Sequence, residues 1–291
     1  MTHAKLSVRT PPSRADSTVK RSTTRRKPDG VVLYHGPSLI NRQPIVCIAT
    51  GLVRKSRNTT TGPFMQTWIL ADRGEHPLAA LRSGGDEAVC GNCPHRPITR
   101  PNGRRVLGSC YVNVGQAPLV VWQAYRRGVY PTFRGRKHLD LFRGRLIRLG
   151  SYGDPAAIPL AVWDRVCAVA AGWTGYTHQF RTCDSGYARY CMASCETVAD
   201  RRLALRLGYR TFRVRLPEQP LDAGEFVCPA SDEGGNRLTC AACRACSGAS
   251  GEHASPCIIV HESPTVPYKA RLYRTFLASL PSDRNGRVNL L

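Results

Sequence analysis

Carboxylates are scarce in this 291-residue chain. Twenty Asp and Glu face 42 Lys and Arg, a formal charge of +22. Lys is scarce as well: it stands only at positions 5, 20, 27, 55, 137 and 269, and Arg supplies the rest of the basic set. A GC-rich coding sequence accounts for the Arg preference but not for the missing acids. A surface this basic attracts polyanions. Long apolar runs are also missing. The most apolar stretch, 156–173, is broken by Asp164 and Arg165, whereas a membrane span needs ~20 nearly uncharged residues. No membrane partner is expected. The first residues hold no secretory-type apolar run, so the expected location is cytoplasmic. There is no P-loop, no dinucleotide glycine fingerprint, no paired-His zinc-protease helix and no nucleophile elbow. The chemistry written by those motifs is excluded as a starting point.

Apolar residues reach 42%, ordinary for a globular chain, so disorder of the whole chain is excluded. The length suits one large domain or two small ones. Residues 1–30 hold eight Lys or Arg and two Asp among Ser, Thr and Pro. They cannot bury a core and are expected to be a disordered basic tail. A β-hairpin region is expected over 31–80, because Pro44-Ile45-Val46-Cys47-Ile48-Ala49-Thr50 and Met65-Gln66-Thr67-Trp68-Ile69-Leu70 flank turn chemistry at 58–63. Helix is expected over 116–127, 156–171 and 197–207. Strands are expected over 146–149, 172–178, 190–194 and 209–215. Alternating short strands and helices over 81–220 predict an α/β core, either a partial (βα) barrel or a small, mostly parallel sheet. The units are too few for a closed eight-fold barrel of ~250 residues. A Cys-rich metal-binding segment (221–262) and a C-terminal helix and tail (263–291) complete the expected organisation.

Thirteen Cys are many for a chain expected in a reducing compartment, where clustered thiols point to metal or catalysis. Cys47, Cys167 and Cys257 lie in apolar runs and read as core. Seven others form two constellations. Cys228 is joined by Cys240, Cys243 and Cys246. Three Cys at two-residue intervals plus a distant one followed by Pro match the four corners of a 4Fe-4S cluster. Zn2+, which favours two separate Cys pairs, is the alternative. The first constellation is Cys90, Cys93 and Cys110, with no fourth Cys near. As a zinc site, His95 would complete Cys3His. As a cluster site, three thiolates leave one iron open to a small molecule, as in radical chemistry with S-adenosylmethionine.

Three Cys, the last followed by Tyr111 and a helix, then β-α units, Gly153-Asp154-Pro155 after a strand, and a Cys-rich tail together resemble a group of phage-encoded radical-SAM-like iron–sulfur proteins. The resemblance covers about residues 85–250. Its usual C-x3-C-x2-C triad is replaced by C-x2-C-x16-C. It implies one or two 4Fe-4S clusters, the second an auxiliary cluster on Cys228, Cys240, Cys243 and Cys246. It also implies S-adenosylmethionine as cofactor, with Gly153 and Asp154 near its amino group, and a bacterial host cytoplasm. His178 and Ser194, at strand ends, join Asp154 as candidate catalytic residues.

Between 126 and 148, Arg126, Arg127, Arg134, Arg136, Lys137 and Arg143 are interleaved with Tyr125, Tyr130, Phe133 and Phe142, against a single acid, Asp140. Arg forks grip phosphates and aromatic faces stack on bases, so this run is a candidate nucleic-acid surface. Its bland reading is a solvated loop whose aromatics cover the core. Two functions therefore stand: a radical-SAM-like enzyme acting on a nucleic acid or nucleotide, or a non-enzymatic zinc protein that binds nucleic acid.

Overall fold

The structure is a computed structural model, and it describes residues 28–56, 58–99, 105–106, 108–249, 254–260 and 268–280. The basic tail expected over 1–30 lies almost wholly outside the described residues.

In chain order the elements are β1 (Gly30–Pro37), β2 (Pro44–Thr50), β3 (Met65–Ala71), α1 (Pro77–Ser83), α2 (Glu87–Cys90), β4 (Ile98–Thr99), β5 (Arg105–Val106), α3 (Ala117–Arg126) and α4 (Gly135–Leu139). They continue with β6 (Leu146–Tyr152), α5 (Leu160–Cys167), β7 (Gly172–Thr177), β8 (Met192–Cys195), α6 (Val198–Arg206), β9 (Thr211–Arg215), β10 (Glu225–Val227), α7 (Cys240–Cys243), β11 (Ser255–Ile259) and α8 (Lys269–Ser279). Nine strands form one sheet in the order β1-β2-β3-β6-β7-β8-β9-β11-β10. β1, β2 and β3 pair antiparallel, and every pairing from β3 to β10 is parallel. The fold is α/β with a mostly parallel sheet. It is larger than the small sheet expected, because the N-terminal hairpin is not a region apart: β3 pairs directly with β6. No helix among the described residues is long and apolar enough to cross a membrane.

Local chemistry explains the elements. β2 is apolar at nearly every position, and Ile45 to Ala49 are fully buried, as a strand covered on both faces requires. Thr197 caps α6 by accepting from the Asp200 amide while the Asp200 carboxylate accepts from the Thr197 amide, a reciprocal capping box. The helix expected over 156–171 is cut to Leu160–Cys167, since Pro155 and Pro159 restrict the residues before them and lack amide donors. Cys47, Cys167 and Cys257 are buried, as expected.

The last crossover was not foreseen. From β9 the chain skips one place to form edge strand β10, then returns to insert β11 between them. The Cys-rich segment is the connection from β10 to β11.

Side chains alternate across this sheet with period two. The even-numbered Arg148, Thr174, Tyr176, Ser194, Phe212 and Ile258 all line one cavity. The odd-numbered Ile147, Leu149, Ala193, Cys195 and Arg213 lie on the opposite face and are buried. Trp163 of α5 and Ala204 of α6 are fully buried among this apolar core.

Candidate metal and cofactor site

The first Cys constellation is built by a short helix and a stapled loop. α2 ends at Cys90, and Gly91 turns the chain with φ +56°. A Cβ there would come within 2.6 Å of the Gln179 amide, which itself donates to the Cys90 carbonyl at 3.2 Å. The Cys93 amide then donates to the Cys90 carbonyl (3.2 Å), and the Cys110 amide to the His95 carbonyl (3.0 Å). Those bonds close the sixteen-residue excursion and return Cys110 to the other two. Arg96 staples the loop: Nε and Nη2 each reach the Asp86 carboxylate at 2.8 Å, and the Gly91 and Gly84 carbonyls accept at 2.6 and 3.2 Å. Burial pushes the Cys90 thiol well above its usual range, and charge on Cys93, Asp86 and Cys110 adds to it. Burial and Cys93 push Cys110 up to about 11. Thiols in this state are neutral at neutral pH, and a bound metal must displace their protons.

His95 has its own partners beside this group. Its Nδ1 lies 2.7 Å from Ser109 Oγ and its Nε2 3.4 Å from Glu196 Oε1, and its ring stacks on Tyr273. Both ring nitrogens thus have partners other than the thiols, and the ring lines the same cavity as Cys90, Cys93 and Cys110. Glu196 Oε1 also lies 3.0 Å from His178 Nε2, and the Cys93 thiol hydrogen-bonds His178. Burial disfavours the His178 cation, but Cys93 and Glu196 outweigh it and hold its pKa well above 6.5. Burial likewise disfavours the Glu196 anion. The charge and hydrogen bonds of His178, with help from His95, bring it down to about 2. The ligand atoms of His95, His178 and Glu196 lie within 4.8 Å of one another, close enough to share a cation.

The second constellation gathers on the loop after β10. The Cys228 amide donates to the Cys257 carbonyl of β11 at 2.9 Å. Cys240 and Cys243 sit on the single turn of α7, capped by the Thr239 hydroxyl. That turn docks on the β2–β3 connection, with the Cys240 and Ala241 amides donating to the Thr60 and Thr61 carbonyls at 3.0 and 3.1 Å. Arg244 adopts φ +56° and turns the chain back, so that the Cys246 carbonyl accepts from the Gly175 amide (3.3 Å). Burial raises Cys228 and Cys240 and takes Cys246 up to about 12. Cys246 also feels charge on Cys228, Cys240 and Cys243, so the four thiols form one electrostatic group.

All seven thiols line a single cavity of about 590 Å3, together with Gly153, Asp154, His178 and Ser194. Every candidate metal, cofactor and catalytic residue is therefore brought to one place. Asp154 is more occupied than expected. It is buried, and its carboxylate accepts from the Ala156 amide (2.9 Å), the His178 amide (2.8 Å) and the Thr177 side chain. A carboxylate has about four acceptor sites, so room for one further donor remains, and its evident work is to clamp the ends of β6 and β7 together. Gly153 has φ +83°, and a Cβ there would lie 2.7 Å from Ile69.

The candidate nucleic-acid residues Arg126, Arg127, Arg134, Arg136, Lys137 and Arg143 are exposed. Arg126 faces Asp72 and Arg143 pairs with Asp140. The aromatics between them do not offer stacking faces: Phe142 is fully buried, Phe133 and Tyr130 pack against the core, and Tyr125 donates to Asp72 at 2.9 Å. The bland reading of those aromatics holds, because each reaches inward. From sequence, Glu196 is a polar residue at a strand end, beside Ser194, with no role assigned; Arg148 is only the last member of the basic run, and Thr174 is not singled out. The signal that finds the latter two is the shared even-numbered register of β6 and β7.

Comparison with protein-family models, curated proteins and solved structures found no match.

Proposed function

We propose that this chain is a radical-SAM-like iron–sulfur enzyme acting on a nucleic acid or nucleotide. The observation that carries the reading is the convergence of a three-thiol group and a four-thiol group on one cavity. The donor sets fit. Four soft thiolates suit a 4Fe-4S cluster at Cys228, Cys240, Cys243 and Cys246. Three thiolates at Cys90, Cys93 and Cys110, with His95 turned to Ser109 and Glu196, suit a cluster with one open corner. When bound there, S-adenosylmethionine and the cluster supply radical chemistry. The chain's own residues divide the remaining work. Gly150, Gly153 and Asp154 shape and clamp the strand ends, His178 holds a proton beside Cys93, and Ser194 offers a hydroxyl to the cavity. On this reading the parallel strands form the wall of a partial barrel, with the cavity inside and α5 and α6 outside. The charge of +22 and the exposed basic residues near α4 support a phosphate-bearing substrate.

The test is anaerobic purification followed by iron, sulfide and zinc analysis and an assay for 5′-deoxyadenosine after reduction with S-adenosylmethionine. A brown protein that forms 5′-deoxyadenosine, with Cys93→Ala inactive, is the expected result. A colourless zinc-bearing protein refutes the reading in favour of two structural zinc sites and a binding role. An iron-loaded wild type that forms none, with or without nucleic-acid substrates, refutes radical chemistry.

A further inference from the structure

Arg148 of β6 and Thr174 of β7 are register partners on the cavity floor. Arg148 Nη2 donates to the Tyr111 hydroxyl at 3.2 Å, and its guanidinium carbon lies 5.8 Å from the centre of the Tyr176 ring. It forms no ion pair with a carboxylate among the described residues. The contrast with the opposite face of the same sheet is sharp: there Arg213 pairs with Glu225 and Arg215 with Glu233. A guanidinium carries five N–H donors, and the Tyr111 hydrogen bond uses one. Thr174 is 2% exposed, and its hydroxyl finds no partner among the described residues. Because no hydrogen bond holds that hydroxyl, rotation about χ1 can carry it toward the cavity without breaking one.

We infer that Arg148 and Thr174 form an oxyanion subsite in the cavity floor, which receives a phosphate or carboxylate group of the substrate. The inference rests on reading this cavity as the substrate site. An Arg fork matches the paired oxygens of either group, and a planar guanidinium steadied by a Tyr ring and a Tyr hydroxyl is already oriented for them. Thr174 supplies the second kind of donor, a hydroxyl from the neighbouring strand. Cys240 and Cys246 are near enough for their charge to act on Arg148, so the subsite lies on the side of the cavity roofed by the C-terminal Cys group.

The experiment is calorimetric binding to the full-length protein as purified, with inorganic phosphate, adenosine 5′-monophosphate, adenosine and succinate as probes. An oxyanion probe is expected to bind, with adenosine far weaker. Arg148→Gln is expected to weaken that probe by about tenfold or more, the scale of one charge-assisted hydrogen bond. Arg148→Lys should fall between, and Thr174→Val should weaken it about threefold, the scale of a modest neutral hydrogen bond. Preference for the nucleotide over succinate identifies phosphate, and the reverse identifies carboxylate; both support the subsite. Equal binding of adenosine and its monophosphate, no binding of any probe, or wild-type affinity in Arg148→Gln overturns it. So does an Arg148→Gln protein that sheds metal from the C-terminal Cys group while binding the oxyanion unchanged, because Arg148 is then only a counter-ion. Metal analysis of the same samples reports on the enzyme reading separately. A zinc-bearing protein that still binds the monophosphate through Arg148 keeps the subsite and discards the radical chemistry.

Discussion

Replacing Arg96 by Ala removes no metal ligand, yet it should empty the first Cys site. Arg96 joins three parts of the loop that carries Cys90 and Cys93: the Asp86 carboxylate, by two bonds of 2.8 Å, and the Gly84 and Gly91 carbonyls. The Asp86 side chain is 1% exposed and that of Arg96 16%, so solvent replaces little of what the substitution removes. Breaking a buried pair by removing one partner costs about 3–5 kcal/mol, chiefly because the remaining charge is stranded. Part of that cost should be met by local opening of the loop, which moves Cys90 and Cys93 apart. Metal affinity then falls with loop order, since ligation free energy and folding free energy are coupled. Urea denaturation measures the fall in stability, and metal per chain measures the site. Asp86→Leu combined with Arg96→Met removes the stranded charge and should recover part of the stability but little of the metal, because nothing then bridges the Gly84 and Gly91 carbonyls. An Arg96→Ala protein less than about 1 kcal/mol weaker, the scale of a surface pair, with its first site filled, would show that the loop is held by something else.

Two further outcomes are expected. Glu196 is held at about 2 against an ordinary 4.5, so its ionised form stabilises the fold above pH 4.5 and that contribution is lost as pH falls toward 2; Glu196→Gln should flatten the acid limb of a stability–pH curve, and an unchanged limb counts against the His95–Glu196–His178 network. Changing Arg134, Arg136 and Lys137 together to Gln should lower the slope of log affinity for DNA or RNA against log salt by about 0.7–0.9 for each phosphate no longer neutralised; an identical slope removes this face from the interface.

Most of the parallel sheet was legible because its signals are local. The apolar run over 146–149 that ends at Gly150, and the helix over 197–207 that stops at Gly208, need no knowledge of distant partners. The β2–β3 hairpin was legible for the same reason. Its merger with the core was not, since nothing near Met65 says that its neighbour will be Ile147, as the register gives. The β9-β11-β10 order is of the same kind: three short strands can be ordered several ways, and the choice rests on packing. The Cys groups were legible as groups because two-residue spacing puts thiols on one turn. That Cys110 belongs with Cys90 and Cys93 follows from the hydrogen bond to the His95 carbonyl, which spacing alone does not specify. His95 shows the limit most clearly. Its place two residues after Cys93 made it a natural fourth ligand, but Ser109 and Glu196 take both its nitrogens.

The convergence of the two Cys groups says more than either group alone. Two zinc staples have no need of a common chamber, since each stabilises its own loop. Here the loop carrying Cys240 and Cys246 rests on the β2–β3 connection and on β7, while the loop carrying Cys90 and Cys93 is pinned by Gln179, just beyond β7. Between them lies the even-numbered face of the sheet, on which Arg148 and Thr174 stand among aromatic and aliphatic side chains. There, among the described residues, Arg148 has no carboxylate partner and the Thr174 hydroxyl no hydrogen bond, although buried polar groups normally find one. Burial raises Cys90, Cys110 and Cys246, so without a metal these walls hold neutral thiols and gain nothing from gathering them. With a metal, displacing those protons ties loop order to ligation. On the proposed reading, the event that fills the sites would also fix the walls of the cavity around Arg148 and Thr174, a coupling that two separate staples would not require.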